Sequence, residues 1–72
     1  MTEIQKLRKR LEDIAREVDK YNFNTESLKE ELGAITKLIY QEVDKASKEE
    51  RYELDNLIML KNIIKSKIEK RL

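Results

Sequence analysis

Apolar residues that recur in alternating steps of three and four are the feature that most restricts how this chain can fold. Such steps place side chains on one face of an α-helix, and a seven-residue repeat is typical of helices that pack side by side. The pattern therefore predicts a first helix over about residues 3–21, with its apolar face buried against partner helices. The repeat consists of Ile4, Leu7, Leu11, Ile14, Val18 and Tyr21.

The segment NFNT, residues 22–25, interrupts this repeat. Asparagine favours turn conformations, and an interdomain linker would be longer and richer in Gly, Ser or Pro, so we interpret the segment as a corner between two helices. We expect Thr25 or Ser27 to cap the second helix, since Ser27 and Glu30 have the spacing of a capping box. Phe23 is expected to cover the end of the core, and the alternative is an aromatic side chain that grips a ligand.

A second helix is predicted over about residues 26–45. Gly33 lies inside it and costs roughly 1 kcal/mol relative to alanine. Because Gly33 and Ala34 both lack bulk, we expect a neighbouring helix to approach closely at this point. The apolar stripe of this helix is broader than the first and consists of Leu28, Leu32, Ile35, Leu38, Ile39, Val43 and Ala46.

The segment ASKEER, residues 46–51, predicts a second corner and a third helix over about residues 48–71. Ser47 and Glu50 have capping-box spacing, and the acidic residues that follow favour a helix N-terminus through the helix dipole. The alternative is a single rod in which the second and third helices fuse, since no Gly or Pro forbids it. The apolar stripe shifts its phase across Ser47, which favours the turn.

The third helix carries two apolar stripes, which is more than a three-helix core needs. One stripe, which includes Leu54, Leu57, Ile64 and Ile68, is sufficient for the core. A large exposed apolar patch is rare on a monomer, and a symmetric dimer covers it by using one surface twice. We therefore expect a homodimer, while the rival interpretation is a docking site for a different protein. The predicted interface residues are Tyr40, Tyr52, Met59 and Ile63.

The predicted fold is all-α, a single domain over residues 1–72. Three long helices with short connections indicate an up-down-up three-helix bundle or a coiled-coil-like helical assembly. Because 72 residues bury only a modest core, we expect dimerisation to complete the assembly.

Composition argues against catalysis. The chain has no His and no Cys, and therefore lacks the commonest general base, the thiolate nucleophile and the usual ligands for zinc. We predict that it is not an enzyme, with no catalytic, cofactor-binding or metal-binding residues. The longest apolar run, residues 57–60, is far shorter than the ~20 residues of a membrane span, so we expect no membrane partner and a cytoplasmic protein.

Two basic clusters leave room for a nucleic-acid interpretation. A chain with a net charge of +1 lacks the marked basic excess of a dedicated nucleic-acid binder, and we favour solubility together with matching of the helix dipole as the explanation of the clusters. The predicted function is therefore a small protein–protein interaction module, such as a regulator or inhibitor of phage, plasmid or microbial type. The alternative is a nucleic-acid-associated accessory protein whose anion contacts are Lys6, Arg8, Lys9, Arg10, Lys61, Lys65, Lys67, Lys70 and Arg71.

Overall fold

The computed structural model describes residues 2–20 and 24–70. These residues form three α-helices, α1 (Glu3–Asp19), α2 (Thr25–Lys45) and α3 (Lys48–Lys70), with no strand in the described ranges. The predicted all-helical fold with three helices is therefore confirmed. The expectations for Tyr21 and Phe23 lie outside the described residues, as does that for Arg71.

Helix α1 begins with a complete capping box. The Thr2 Oγ1 accepts a hydrogen bond from the Gln5 N–H at 3.2 Å, and the Thr2 N–H donates to the Gln5 Oε1 at 3.1 Å. The helix ends at Asp19 rather than at residue 21, because Lys20 is extended and its N–H turns back to the Glu17 carbonyl at 3.1 Å. The buried residues of α1 are Ile4, Leu7, Leu11, Ile14 and Val18.

Helix α2 begins one residue earlier than predicted and has a different cap. The Asn24 Oδ1 accepts a hydrogen bond from the Ser27 N–H at 3.1 Å, so neither Thr25 nor Ser27 is the N-cap. An asparagine at this position satisfies an N–H that the helix itself cannot pair. The prediction was also wrong for Leu38, which is 38% exposed. The buried residues of α2 are Leu28, Leu32, Ile35 and Ile39.

The corner between α2 and α3 consists of Ala46 and Ser47, and it excludes the fused rod. Ala46 is extended (φ −76°, ψ 144°), which ends α2. The predicted capping box is confirmed, because the Ser47 Oγ accepts from the Glu50 N–H at 3.3 Å and the Ser47 N–H donates to the Glu50 Oε1 at 3.1 Å. The buried residues of α3 are Leu54, Leu57, Ile64 and Ile68.

The three helices run up, down and up, and each packs against the other two. Glu17, near the end of α1, shares a groove with Leu28, near the start of α2. Lys29 of α2 likewise shares a groove with Ile68 of α3, so consecutive helices are antiparallel. The Lys67 Nζ lies 3.3 Å from an Asp19 carboxylate oxygen, which joins the C-terminal ends of the parallel helices α1 and α3.

Buried residues of all three helices meet in one apolar core, with Ile58 and Leu60 of α3 packed at its edges. The molecule measures 38 × 20 × 16 Å. A 23-residue helix is about 34 Å long at 1.5 Å per residue, so the helices lie nearly along the longest dimension. Side faces of the bundle are therefore its largest surfaces.

Candidate interaction surfaces

An uncharged stripe runs along α3 on the side opposite to the core. Its large side chains are Tyr52, Met59 and Ile63, which are 67%, 63% and 52% exposed. Asn56 and Ser66, both exposed, continue the same alternation of four- and three-residue steps. We call these five residues the outer face of α3. In a chain with 43% charged residues, five successive uncharged positions on one helix face form a distinct surface.

The outer face of α3 is separate from the contacts that hold the bundle together. Met59 is two residues from Leu57 and five from Leu54, and both of these leucines are at most 1% exposed. A two-residue step turns an α-helix by about 200°, so the two sets of side chains point in nearly opposite directions. A partner approaching this face would therefore meet neither α1 nor α2.

A second candidate surface is an open groove between α2 and α3, with a volume of about 460 Å³. Gly33 borders it, and no atom of a neighbouring described helix lies within 4 Å of the place where a Cβ would stand. The predicted close approach of a helix at Gly33 and Ala34 is therefore wrong, since both residues are exposed. The α2/α3 groove is lined by Lys29, Leu32, Gly33, Thr36, Lys37, Lys61, Lys65, Ile68 and Glu69.

The walls of the α2/α3 groove are cationic and its floor is partly apolar. Four lysines face a single carboxylate, that of Glu69. The Thr36 hydroxyl donates a hydrogen bond to the Leu32 carbonyl oxygen at 2.7 Å. The hydroxyl is therefore engaged by the backbone of its own helix. The proximity of Lys29 and Lys37 to Lys61 and Lys65 was not predicted from the sequence. Lys29 and Lys37 are eight residues apart on α2, beside its apolar stripe, and Lys61 and Lys65 are four apart on α3; these helical spacings are the signal that would have done so.

The four predicted interface residues fall on two helix faces. Tyr40 is 51% exposed and lies four residues after Thr36, which places it on the same side of α2 as the α2/α3 groove. The other three belong to the outer face of α3, and none of them lines the groove. A single partner helix on the outer face would therefore not require Tyr40.

The two basic clusters lie toward opposite ends of the bundle. Lys6, Arg8, Lys9 and Arg10 occupy the N-terminal half of α1, while the described lysines of the second cluster occupy the C-terminal half of the parallel helix α3. The remaining member, Arg71, lies outside the described residues.

Nearby carboxylates partly neutralise the positive charge of both basic clusters. The Lys6 Nζ is 3.7 Å from the Glu3 carboxylate, and Lys67 pairs with Asp19. Arg10 lines a groove between α1 and α2 together with the carboxylates of Glu17 and Glu31. The clusters therefore do not form one continuous basic surface.

Within residues 2–20 and 24–70, no three carboxylates are grouped in a way that could hold a metal ion. Of the three described helices, none combines the length and the apolar composition needed to cross a bilayer. No protein-family model, curated protein sequence or solved structure matches this chain. The two surfaces described above are therefore the basis for a functional hypothesis.

Proposed function

We propose that this chain is a small, non-enzymatic protein–protein interaction module that docks the outer face of α3 on another protein, as a regulator or inhibitor does. The observation that carries the proposal is the exposure of Tyr52, Met59 and Ile63 in one uncharged stripe. Isolated exposed apolar residues are ordinary on proteins, whereas aligned ones that alternate at helical spacing suit a helix-in-groove or helix–helix contact. In this proposal the same face serves homodimerisation, since a second copy brings an identical stripe.

Differential capture from an extract of the native host tests the proposal. The immobilised chain is compared with Met59→Glu, which adds a charge in the middle of the outer face. Gln41→Glu is the matched control, because it adds the same charge at an exposed position of α2, away from the outer face of α3. We expect a protein, either another chain or a free copy of this one, to be retained by the original and by Gln41→Glu and lost from Met59→Glu.

Retention of nothing, or equal retention by Met59→Glu and Gln41→Glu, would contradict the proposal. Circular dichroism of both variants checks that helicity is kept. The glutamate at position 59 stays exposed in the monomer, where surface substitutions change stability by less than about 0.5 kcal/mol.

A nucleic-acid-associated accessory role is the second candidate, and the α2/α3 groove is the observation that favours it. It places Lys29 and Lys37 beside Lys61 and Lys65, and lysines grouped in this way bind phosphates. Nuclease treatment of the extract separates the two functions. Under the interaction-module proposal the captured protein survives the treatment, whereas a nucleic-acid role predicts that retention is lost with nuclease and with Lys61→Gln/Lys65→Gln.

A further inference from the structure

The lysines of the α2/α3 groove lack the ion pairs that several other cations of the bundle form. In residues 2–20 and 24–70, the carboxylate of every ion pair belongs to α1, and none of these pairs includes a lysine of the groove. The Lys61 Nζ instead donates to the neutral Asn62 side chain at 3.0 Å. Unmatched positive charge therefore surrounds the groove, at Lys29, Lys37, Lys61 and Lys65.

This positive charge is concentrated toward one end of the α2/α3 groove. Because α2 and α3 are antiparallel, Lys37 and Lys61 share the end nearer to the α2–α3 corner, while Lys29 and Glu69 share the other end. The first end therefore has a charge of +2, whereas the lysine and the carboxylate at the second end cancel. Lys65 adds a further cation between the two ends.

The floor of the α2/α3 groove is apolar and lacks bulk on the α2 side. Leu32 and Ile68, both buried, lie at its base, and the aliphatic stems of the lysines extend this apolar surface while their ammonium groups reach water. Gly33 leaves space that no neighbouring described helix uses, and a position without a side chain lets another backbone approach closely. Tyr40, one turn after Thr36 and half exposed, continues the surface toward the α2–α3 corner.

We propose that the α2/α3 groove binds an acidic amphipathic helix of a partner protein, which lies between α2 and α3 as a fourth helix. Its apolar residues would rest on the floor at Gly33, and its carboxylates would face the groove lysines, most of them toward Lys37 and Lys61. The surface from Lys29 to Tyr40 covers eleven residue steps, about 16 Å or three helical turns. This inference goes beyond the proposed function, because no residue of the outer face of α3 lines the groove.

The shape of the α2/α3 groove favours a helix over a small molecule or a nucleic acid. Its volume of about 460 Å³ would suit a small ligand, but small-ligand sites enclose most of the ligand, whereas this groove is open. A helix in a four-helix bundle keeps its outer side in water and needs no enclosure. Phosphates require cations alone, so neither the apolar floor nor the space at Gly33 would contribute to binding a nucleic acid.

A pair of synthetic peptides tests the proposal. The acidic peptide has about 18 residues, since shorter isolated helices are marginal in water, with leucines on one helix face and glutamates beside them. The basic peptide has a lysine in place of each glutamate. Amide chemical shifts of the labelled chain are recorded during titration with each peptide. We expect the acidic peptide to shift the signals of Gly33, Thr36 and Lys65, and the basic peptide to bind at least about tenfold more weakly, because like charges repel.

Two variants separate the charge of the groove from its shape. Lys65→Glu should weaken binding of the acidic peptide at least about tenfold, whereas Lys9→Glu, the same change on the exposed side of α1, should leave it within about twofold. Gly33→Leu fills the open space without altering charge and should also weaken binding about tenfold, with Ala34→Leu, at an exposed position that does not line the groove, as its control.

Several results would overturn the proposal. They are equal binding of the two peptides, no shifts at Gly33 and Thr36, or undiminished binding by Gly33→Leu. A duplex DNA oligonucleotide that binds more tightly than the acidic peptide, and that depends on Lys65 but not on Gly33, would identify the groove as a phosphate site instead.

Met59→Glu separates this inference from the proposed function. It should bind the acidic peptide as the original chain does, because Met59 does not line the groove. If the peptide is lost from Met59→Glu, it lies on the outer face of α3 and the groove proposal fails. If no protein is captured through Met59 but the acidic peptide still binds at Gly33, the outer-face proposal fails and the groove proposal stands.

Discussion

Helices α1 and α3 have the same kind of N-terminal cap but expose different surfaces to solvent. Both start with a capping box, and both carry apolar residues at seven-residue spacing. On α1 the whole described repeat, from Ile4 to Val18, is buried in the bundle. On α3 the buried residues are matched by an exposed stripe on the opposite side, with Tyr52, Met59 and Ile63 each more than half exposed.

The difference shows how much apolar surface a three-helix bundle uses. Each helix in such a bundle has two neighbours, and one stripe facing both of them satisfies the core. Helix α1 has that stripe and little else. The outer face of α3 contributes nothing to the core, so its residues can be changed without unfolding the monomer. Substitutions in the buried stripe of α1 and in the outer face of α3 should therefore have different effects on the free energy of unfolding.

The largest difference in the free energy of unfolding is expected between substitutions at Leu11 and at Ile63. Leu11 is fully buried, and Leu11→Ala should lower the free energy of unfolding by about 2–5 kcal/mol, through lost transfer energy and the cavity left behind. Ile63→Ala removes an exposed side chain and should change it by less than about 0.5 kcal/mol. Urea denaturation at low micromolar concentration, where self-association is absent, measures both.

If Leu11→Ala unfolds so small a protein completely, Ile14→Val is the milder substitution, with an expected loss of about 0.5–1.5 kcal/mol. Equal losses at Ile14 and Ile63 would contradict the assignment of the two stripes to core and surface.

An intermediate effect is expected from the capping boxes. Ser47→Ala removes the cap of α3 at an interior corner and should cost about 1 kcal/mol. Thr2→Ala removes the equivalent cap at the beginning of α1. Because the first turn there can fray with little loss of packing, we expect a cost of only a few tenths of a kcal/mol. Thermal unfolding of both variants measures the difference, and a larger loss for Thr2→Ala would contradict it.

The last expected effect is a gain in stability, at the groove beside α3. Gly33→Ala places a Cβ where no atom of another described helix lies within 4 Å, so the helix should gain about 0.5–1 kcal/mol without a clash. Lys9→Ala on the exposed side of α1 is the control and should change stability by a few tenths of a kcal/mol. A loss of stability at Gly33 would mean that the open groove is filled in solution.

Much of this fold was predictable because it depends on local periodicity. The seven-residue repeat of α1 and the spacing of Ser47 and Glu50 each specify one geometry, and the structure has both. The first corner was less predictable. Asn24, Thr25 and Ser27 are all good capping residues, and periodicity alone does not distinguish a helix start shifted by one residue.

Residues at the edges of a stripe were the hardest to place. Leu38 and Thr36 flank the buried Ile35 and Ile39 on opposite sides of α2, and a small rotation of the helix decides which of them is covered. The exposure of Tyr52, Met59 and Ile63 followed from the surplus of apolar residues on α3, whereas the partner of that surface remains a prediction.

The two-residue corner at Ala46 and Ser47 also has a consequence for the speed of folding. It joins two long antiparallel helices, so closing the α2–α3 hairpin requires only a short loop and little chain entropy. Contacts between residues that are close in sequence give helical bundles folding times of microseconds to milliseconds. The chain contains no proline, and therefore no slow isomerisation of a prolyl bond interrupts that process.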